Sequence, residues 1–523
     1  MNIVTIDFET YYDKEYSLSK MTTEEYVNDS RFQIIGVGIS VNYNAVWHTG
    51  HADNLNVLFG KDSWLKNNMH DYAILCHNTL FDGAILAWKF GIKPKMWLDT
   101  LCMARAKHGV EVGGSLKKLA ERYQIGEKGD EVINAMGKRL ADFTDADLNR
   151  YGAYCRNDVD LTNALFHKMM PFPEKELKLI DLTLRMYLEP SLKVDDALLV
   201  QRLEQVKLDK SKMLASLADA LEVDTEEEVR EQLSSNPKFA SLLEHCGVKP
   251  PTKISLRTGK ETYALAKTDE GFIALQEHEN PLIQQLCAVR LGTKSTIEES
   301  RIERFINIGA GNRGFLPVPL KYYGAHTGRW SGLDSVNFQN LPSRDKAKKA
   351  LKNAIVAPDG HTIINSDSSQ IEARVLAWLA GQDDVVKQFA DKQDVYSVFA
   401  STVYNRPISK ADPTERFVGK TCVLGLGYGT GAAKLQQTLS LGGADLPEAE
   451  CKRIVDLYRT TNNKITALWK ESDRALQRLM TYGKDSKPFY LGKNEALLVD
   501  GEGIKLPNGL YIRYGNLSMA DDK

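Results

Sequence analysis

Four acidic side chains in the first third of the chain are spaced as if to share a cation. Asp7 and Glu9 stand two apart behind the apolar run IVTI, and a strand's period of two turns both to one face. Asp82 follows a second apolar run, AILC, in the segment CHNTLFD, where the pattern becomes helical. Tyr154 and Asp158 lie four apart in YCRNDVD, on one face of a predicted helix. Asp160 is a rival to Asp158, but six residues from Tyr154 it leaves that face. Singly, each piece is commonplace: Asp-x-Glu often follows a strand, and a Tyr/Asp pair often decorates a solvated helix. Gathered without basic partners, the four carboxylates would repel one another strongly. A pair of divalent ions resolves that repulsion. Two metals held by carboxylates suit in-line hydrolysis of a phosphodiester, with Tyr154 orienting the attacking water.

A second constellation lies between 321 and 431. In KYYGAHTGRWSGLDSVNFQNLP, Arg329, Asn337, Gln339 and Asn340 are donors in a Gly-rich setting, suited to phosphates and minor-groove acceptors. Alone, this would be a polar surface loop. The next segment, TIINSDSSQIEARVLAWLAG, predicts an apolar strand that delivers Asp367 to its end, with a helix opening behind it. A carboxylate there can hold a metal, and the Ser368 carbonyl offers a second oxygen. Glu372 crowds the same pocket. ERFVGKTCVLGLGYGTG then places Arg416, Lys420, Leu424 and Tyr428 at four-residue intervals. On a helix they form one stripe: two cations for a triphosphate, an apolar contact, and an aromatic platform for a base.

The elements that must position these groups follow from the wider pattern. Residues 1–165 alternate short apolar runs with helical stretches, the rhythm of an α/β layer. From 174 to 310 the chain is mostly helical and charged; 311–365 reads as strand and loop, and 370–482 as helix. The last forty residues carry the turn signals DGEG and LPNGL between short strands. MMPFPEKE at 169–176 marks the expected boundary. A length of 523 residues calls for two to four domains. No run of 18 apolar residues and no basic-then-apolar start predict neither a membrane span nor a secretory signal. Seven cysteines without a C-x-x-C pair fit a reducing, cytoplasmic setting, with no disulfide framework and no structural zinc. The net charge of −2, from 67 basic and 69 acidic side chains, decides nothing about nucleic acid, because a basic cleft can hide in a neutral total.

The first ordered set resembles the tyrosine variant of the DEDD superfamily of 3′–5′ exonucleases, which has an RNase H-like fold. Asp7, Glu9, Asp82 and Asp158 match its metal ligands, Tyr154 its water-orienting residue, and Asn78 and Phe81 the rest of its second motif. TGRWSG with NFQNLP, DSSQIEAR and R-x3-K-x7-YG are similar to three signature segments of the family A, polymerase I-like DNA polymerases, of bacteriophage type with a proofreading domain. The resemblance covers essentially the whole chain. It implies a multidomain α/β and α+β protein: an RNase H-like exonuclease domain at 1–172, then an incomplete palm/thumb/fingers polymerase domain at 173–523. The thumb would span about 195–305, the palm about 306–380 and the fingers about 381–482. It further implies that Asp367 is a catalytic metal ligand and that Ser368 and Gln370 line the nucleotide site. Glu372 becomes the steric gate against a ribose 2′-hydroxyl. Arg416 and Lys420 grip the triphosphate, and Tyr428 seats the templating base. Arg329 and Gln339 become minor-groove contacts, with Asn337, Asn340 and the thumb residues Arg290 and Lys294 also meeting DNA. Two Mg2+ or Mn2+ ions per site, primer–template and single-stranded DNA, and dNTPs are the implied cofactors and partners. The location implied is a bacterial host's cytoplasm, and the 5′-nuclease domain of some relatives has no counterpart.

Two departures from that family carry weight. Leu424 stands where an aromatic residue is usual on the nucleotide-binding helix, which puts discrimination at the sugar 3′ position in question. All ten histidines lie at or before 361, so the His-Asp-Glu turn that completes the palm's two-metal site has no match after Asp367. Asp500 and Glu502 in LLVDGEGIKL are weak substitutes, and Asp521 and Asp522 weaker still. The sequence therefore predicts a polymerase whose synthesis needs a C-terminal palm fragment. An alternative is a two-metal exonuclease whose polymerase remnant only binds primer–template DNA. A DNA-binding clamp without activity is third.

Overall fold

The computed structural model describes residues 2–41, 44–129, 134–221, 225–255, 259–267, 269–276, 278, 280–294, 297–334, 336–341, 349–514 and 517–518. Its N-terminal layer is a five-stranded sheet in the order β3-β2-β1-β4-β5, built from β1 (Asn2–Thr10), β2 (Ile34–Val41), β3 (Asn44–Thr49), β4 (Tyr72–Cys76) and β5 (Met96–Asp99). β1 runs antiparallel to β2 and parallel to β4, which runs parallel to β5. This mixed order is the RNase H-like arrangement. β4 reads YAILC without alternation because, as an interior parallel strand, it is covered on both faces.

The long helix Asp145–Met169 starts at a capping box, in which the Thr144 hydroxyl accepts from the Asp147 N–H at 3.2 Å and the Asp147 carboxylate accepts in return from Thr144. It lies across β1, β2 and β3, and glycines let it approach. Gly38 is the cross-strand partner of Asp7, and Gly36 of Glu9. A Cβ on Gly38 would come within 2.9 Å of Val159 Cγ2 and 3.0 Å of Cys155 Sγ on the helix. A Cβ on Gly36 would lie inside the Trp47 ring, which is also wedged against Gly152 of the helix. The face that carries Asp7 and Glu9 is thus the face on which the helix sits.

The apolar core under this sheet does not stop at the proline-rich segment. Leu177, Ile180, Leu184, Tyr187 and Leu188 of the helix Glu174–Leu188 belong to it, as do Tyr322, Tyr323 and Leu510 from far down the chain. Separate smaller cores form around Leu214–Val289, Phe399–Tyr458 and Leu468–Ile504. The last of these joins the helix Asn463–Tyr482 to an antiparallel sheet of Phe489–Leu491, Leu497–Asp500, Gly503–Lys505 and Tyr511–Ile512. That sheet is tied back to the N-terminal domain: Arg513 Nε donates to the Lys107 carbonyl at 2.7 Å and Asn508 Nδ2 to Glu176 Oε1 at 2.9 Å.

One expected element does not form. The run TIIN before Asp367 is not a strand; residues 361–369 are exposed throughout, with Ile364 at 87%. A strand is held by its neighbours' hydrogen bonds, and among the described residues nothing pairs with this segment. Among the described residues, no helix is long and apolar enough to cross a membrane.

Candidate active site

β1 brings Asp7 and Glu9 to the sheet's helix-covered face, and two further elements complete the cluster. The helix Thr79–Ala84 presents Asp82, whose Oδ1 accepts the Phe8 N–H at 2.9 Å, fastening it to β1 between the first two acids. The turn that feeds this helix is held by Asp99 at the end of β5. One Asp99 oxygen accepts from the N–H groups of Asn78 (3.1 Å) and Leu101 (2.7 Å), the other from Thr79 (3.2 Å). Asn78 sits in the left-handed region at φ 72°, which asparagine tolerates better than most residues. The Phe81 ring packs 5.8 Å from Tyr26. A single π-helical turn, Ile85–Lys89, follows at once.

The long helix supplies the other wall. Tyr151, Tyr154, Cys155 and Asp158 share its inward stripe and all are buried. The Tyr151 hydroxyl donates to Glu9 Oε2 at 2.6 Å, and the Cys155 thiol lies 3.4 Å from the Asp7 carbonyl and 3.5 Å from Asp7 Oδ2. The ligand atoms of Asp7, Glu9 and Cys155 lie within 4.8 Å of one another. The Tyr154 ring stacks on Tyr151 with centroids 6.1 Å apart. Asp160 points to solvent.

Gathering these acids away from water is costly for their charged forms. Asp7 is pushed up to about 7, first by burial and then by the charge of Asp158. Burial, followed by Asp7, drives Glu9 and Asp82 well above the carboxylate range. Burial also raises Asp158. The expectation that the cluster has no basic partner is corrected here. Lys128, from the loop after Tyr123, pairs its ammonium with Asp158 Oδ2 and holds it 4.8 Å from the Tyr154 ring centroid. The other Asp158 oxygen, Oδ1, is buried with no hydrogen-bond partner. An orphaned carboxylate oxygen beside three mutually repelling acids is the donor set of a divalent-cation site, and the residues present fit such an ion.

Sequence reasoning missed Lys128, Tyr151, Cys155 and Asp99. Tyr151 was legible, since it lies three residues before Tyr154 on the same stripe; Lys128, thirty residues from its partner, carried no local signal.

The second constellation is only partly brought together. Arg329 Nη2 pairs with Glu372 Oε1, and the Tyr428 hydroxyl is held up by its hydrogen bond to Glu372. Gln370, at φ 56°, turns the chain into the helix Ile371–Ala380. Asn337 accepts from its own loop, at 3.0 Å from the Gln339 N–H, while Gln339 and Asn340 are exposed. Arg416, Lys420 and Leu424 lie on the helix Pro413–Leu426, but the helix ends before Tyr428, which is 68% exposed in the following turn. Arg416 turns inward, with Nε 2.6 Å from Asp394 Oδ2. Asp367 and Ser368 stand in the exposed segment, and among the described residues Asp367 joins no group of three metal-ligating side chains. Asp500 accepts from the Glu502 N–H at 2.8 Å and from the Tyr511 hydroxyl at 2.8 Å, and Glu502 pairs with Arg513. Asp521 and Asp522 lie outside the described residues.

The expected DNA contact at Arg290 is overturned. Its side chain is 1% exposed beside the core formed around Leu214–Val289, bonded to the Leu233 carbonyl and Asn236, with Cζ 4.3 Å from the Phe239 ring centroid. A guanidinium so enclosed presents no surface to a phosphate. The Lys294 side chain lies outside the described residues.

An acidic cluster against a five-stranded mixed sheet, followed by helical units with cores of their own, is the frame into which two family matches fall. Residues 200–482 match the family model "DNA polymerase family A" and residues 22–172 the model "3′-5′ exonuclease". The chain belongs to DNA polymerase family A and carries a 3′–5′ exonuclease domain. It is 30% identical over 240 residues to the DNA polymerase of Bacillus phage SP02, covering 39% of this chain and 36% of that protein. It is 29% identical over 215 residues to the thermostable DNA polymerase I of Thermus aquaticus, covering 41% and 24%. Against a thermostable DNA polymerase I of Thermus thermophilus the identity is 25% over 426 residues, 75% of this chain and 49% of that one. The matched regions thus span from a quarter to a half of these relatives. The fold is also that of the structure described as "POL domain of Pol1 from M. smegmatis complex with DNA primer-template and dNTP", with a TM-score of 0.63 at 19% identity over 91% of this chain and 75% of that one.

Proposed function

We propose that the chain is the template-directed DNA polymerase of a bacteriophage replication system, working in the host cytoplasm, with proofreading performed at the N-terminal site. The observation that carries the nuclease part is the quartet Asp7, Glu9, Asp82 and Asp158, half-buried at Asp7 and buried at the other three, with its orphaned Asp158 oxygen and Tyr154 on the same helix face. Asp7, Glu9, Asp82 and Asp158 would hold two Mg2+ or Mn2+ ions, which when bound stabilise charge on the scissile phosphate and activate water. The protein's own groups do the rest. Tyr154 sets the direction of the attacking water, Tyr151 fixes Glu9, and the close seat of the long helix keeps bulk water out. The substrate is the frayed single-stranded 3′ end of DNA.

For synthesis, Asp367 and Ser368 are assigned to the catalytic metal, with Gln370, Glu372, Arg416, Lys420, Leu424 and Tyr428 at the nucleotide and Arg329, Asn337, Gln339 and Asn340 at the primer–template. Asp367 is exposed and, among the described residues, joins no group of three metal-ligating side chains. We infer that extension by this chain alone is severely impaired and recovers with a palm fragment bearing the His-Asp-Glu turn. A second reading, a two-metal exonuclease whose polymerase part only grips DNA, is supported by the described residues, among which Asp7 and Glu9 lie in a group of metal-ligating side chains and Asp367 in none. Two assays decide. Degradation of 3′-labelled single strands with Mg2+ should occur and should collapse by roughly two orders of magnitude or more in Asp7→Ala/Glu9→Ala; persistence would refute the nuclease assignment. Primer extension should fail without the fragment and appear with it; extension by the chain alone would refute the incomplete palm, and failure even with the fragment would favour the second reading.

A further inference from the structure

We propose that Lys128 is a catalytic residue of the exonuclease site: its ammonium serves as a tethered cation on Asp158 while the site awaits metal, and moves to the scissile phosphate when DNA is bound. This inference rests on the exonuclease reading above.

Lys128 is placed by a purpose-shaped loop. The Asn157 side chain donates to the Glu127 carbonyl at 2.9 Å, pinning the loop to the long helix. On either side, glycines let the backbone lie close: a Cβ at Gly129 would sit 3.1 Å from Tyr154 Cδ2, and one at Gly126, where φ is +138°, 3.0 Å from Leu161 Cδ2. The ammonium thereby reaches the two residues of the long helix already assigned to the chemistry, Tyr154 and Asp158. Its charge also acts on Asp7 and Glu9, opposing the burial that disfavours their ionised forms.

The side chain is free to leave. It remains 25% exposed while Asp158 is 4% exposed, and it lines a cavity of about 500 Å³ together with His77, Asn78, Arg105 and Lys321. A four-carbon stem with rotatable bonds lets an ammonium swing between neighbouring anions. Charge counting supplies the reason to move. Four carboxylates and two divalent ions cancel, so once metal is bound Asp158 no longer needs Lys128. The phosphodiester then brings one uncompensated negative charge, which grows as an oxygen nucleophile adds. In the reaction the water oxygen forms a bond to phosphorus and loses a proton to solvent. The bond from phosphorus to the O3′ of the penultimate nucleotide breaks, its electron pair stays on that oxygen, and the oxygen is protonated as a nucleoside monophosphate departs. Lys128 forms no covalent bond; it offsets the charge on the non-bridging oxygens, where a fixed cation in a water-poor site acts most strongly.

The test compares the full chain with Lys128→Met and Lys128→Arg. For Lys128→Met, kcat for removal of a 3′ nucleotide should fall about 10²-fold with a smaller change in KM. Mn2+ affinity measured without DNA, by electron paramagnetic resonance, should tighten severalfold because a competing cation is gone. Lys128→Arg, which keeps the charge, should recover most of kcat and leave Mn2+ affinity near that of the parent. Unchanged Mn2+ affinity in a folded Lys128→Met protein would overturn the tethered-cation role; tightened affinity with unchanged kcat would overturn the move to phosphate. If the parent itself releases no nucleotides, the exonuclease reading fails, a result distinct from parent and Lys128→Met cutting equally well.

Discussion

At the scale of single residues, the proposed metal site sets protons and metal ions in competition for one cluster. Asp7 ionises in the unfolded chain near 3.8, but in the folded metal-free protein only near 7. Between those values the folded state binds the extra proton, so the metal-free domain loses stability as pH rises through that window. A divalent ion binds the ionised form and must expel the proton. Two outcomes follow. In thermal melts with a chelator, the N-terminal domain should melt lower at pH 8 than at pH 6.5, and added Mg2+ should restore more at pH 8. By calorimetry, Mg2+ affinity should weaken below pH 7, with a buffer-dependent heat that reports proton release. Tyr151 adds a separate test. Its hydroxyl holds one Glu9 oxygen at 2.6 Å, and removing a donor that orients a metal-ligating carboxylate typically costs 10–100-fold in metal affinity. Tyr151→Phe should show a loss of about that size in Mn2+ titration, while the fold survives.

At the scale of elements, the site exists because a helix lies unusually near a strand. Gly38 and Gly36 stand opposite Asp7 and Glu9, and their missing side chains are the space that Cys155, Val159 and Trp47 fill. Gly38→Ala would force the long helix outward by a few tenths of an ångström, moving Tyr154 and Asp158 away from Asp7 and Glu9. Overpacking of this kind costs about 1–3 kcal/mol. The expected result is a lower melting temperature together with a larger fractional loss of exonuclease activity than of stability, because catalytic geometry is the more sensitive of the two. By contrast, the segment around Asp367 shows what happens when an element lacks its neighbours. Its apolar residues are strand-like in composition, yet Ile363 and Ile364 stay exposed.

At the scale of the whole molecule, the C-terminal sheet closes back on the N-terminal domain, and a histidine lies at that seam. Arg513 bonds to the Lys107 carbonyl. Next in sequence, His108 bonds through Nε2 to the Tyr123 hydroxyl at 2.7 Å. Burial first, then the charges of Arg122, Arg513 and Lys107, hold His108 down to about 4. Its folded value lies below its unfolded one near 6.5, so the unfolded chain takes up the proton first. The resulting stability is complete above about 6.5 and is lost as pH falls towards 4, opposite in sign to the Asp7 effect. Proteolysis within residues 489–513 should therefore quicken between pH 6.5 and 5 in the parent chain, and this acceleration should shrink in His108→Phe.

The sequence by itself determined the chemistry on offer: the types and order of Asp7, Glu9, Asp82, Tyr154 and Asp158, and the α/β rhythm that carries them. Those are properties of local spacing, where strand and helix periods decide which way a side chain points. It could not determine what comes near that cluster from a distance. Lys128 arriving at Asp158, the N-terminal core running on to Leu188 and taking in Leu510, and Arg290 being enclosed rather than offered to DNA all depend on packing between segments far apart in the chain. Nor could local pattern reveal that TIIN stays unpaired, since β structure is completed by a partner's hydrogen bonds, and whether that partner is present is settled only in three dimensions.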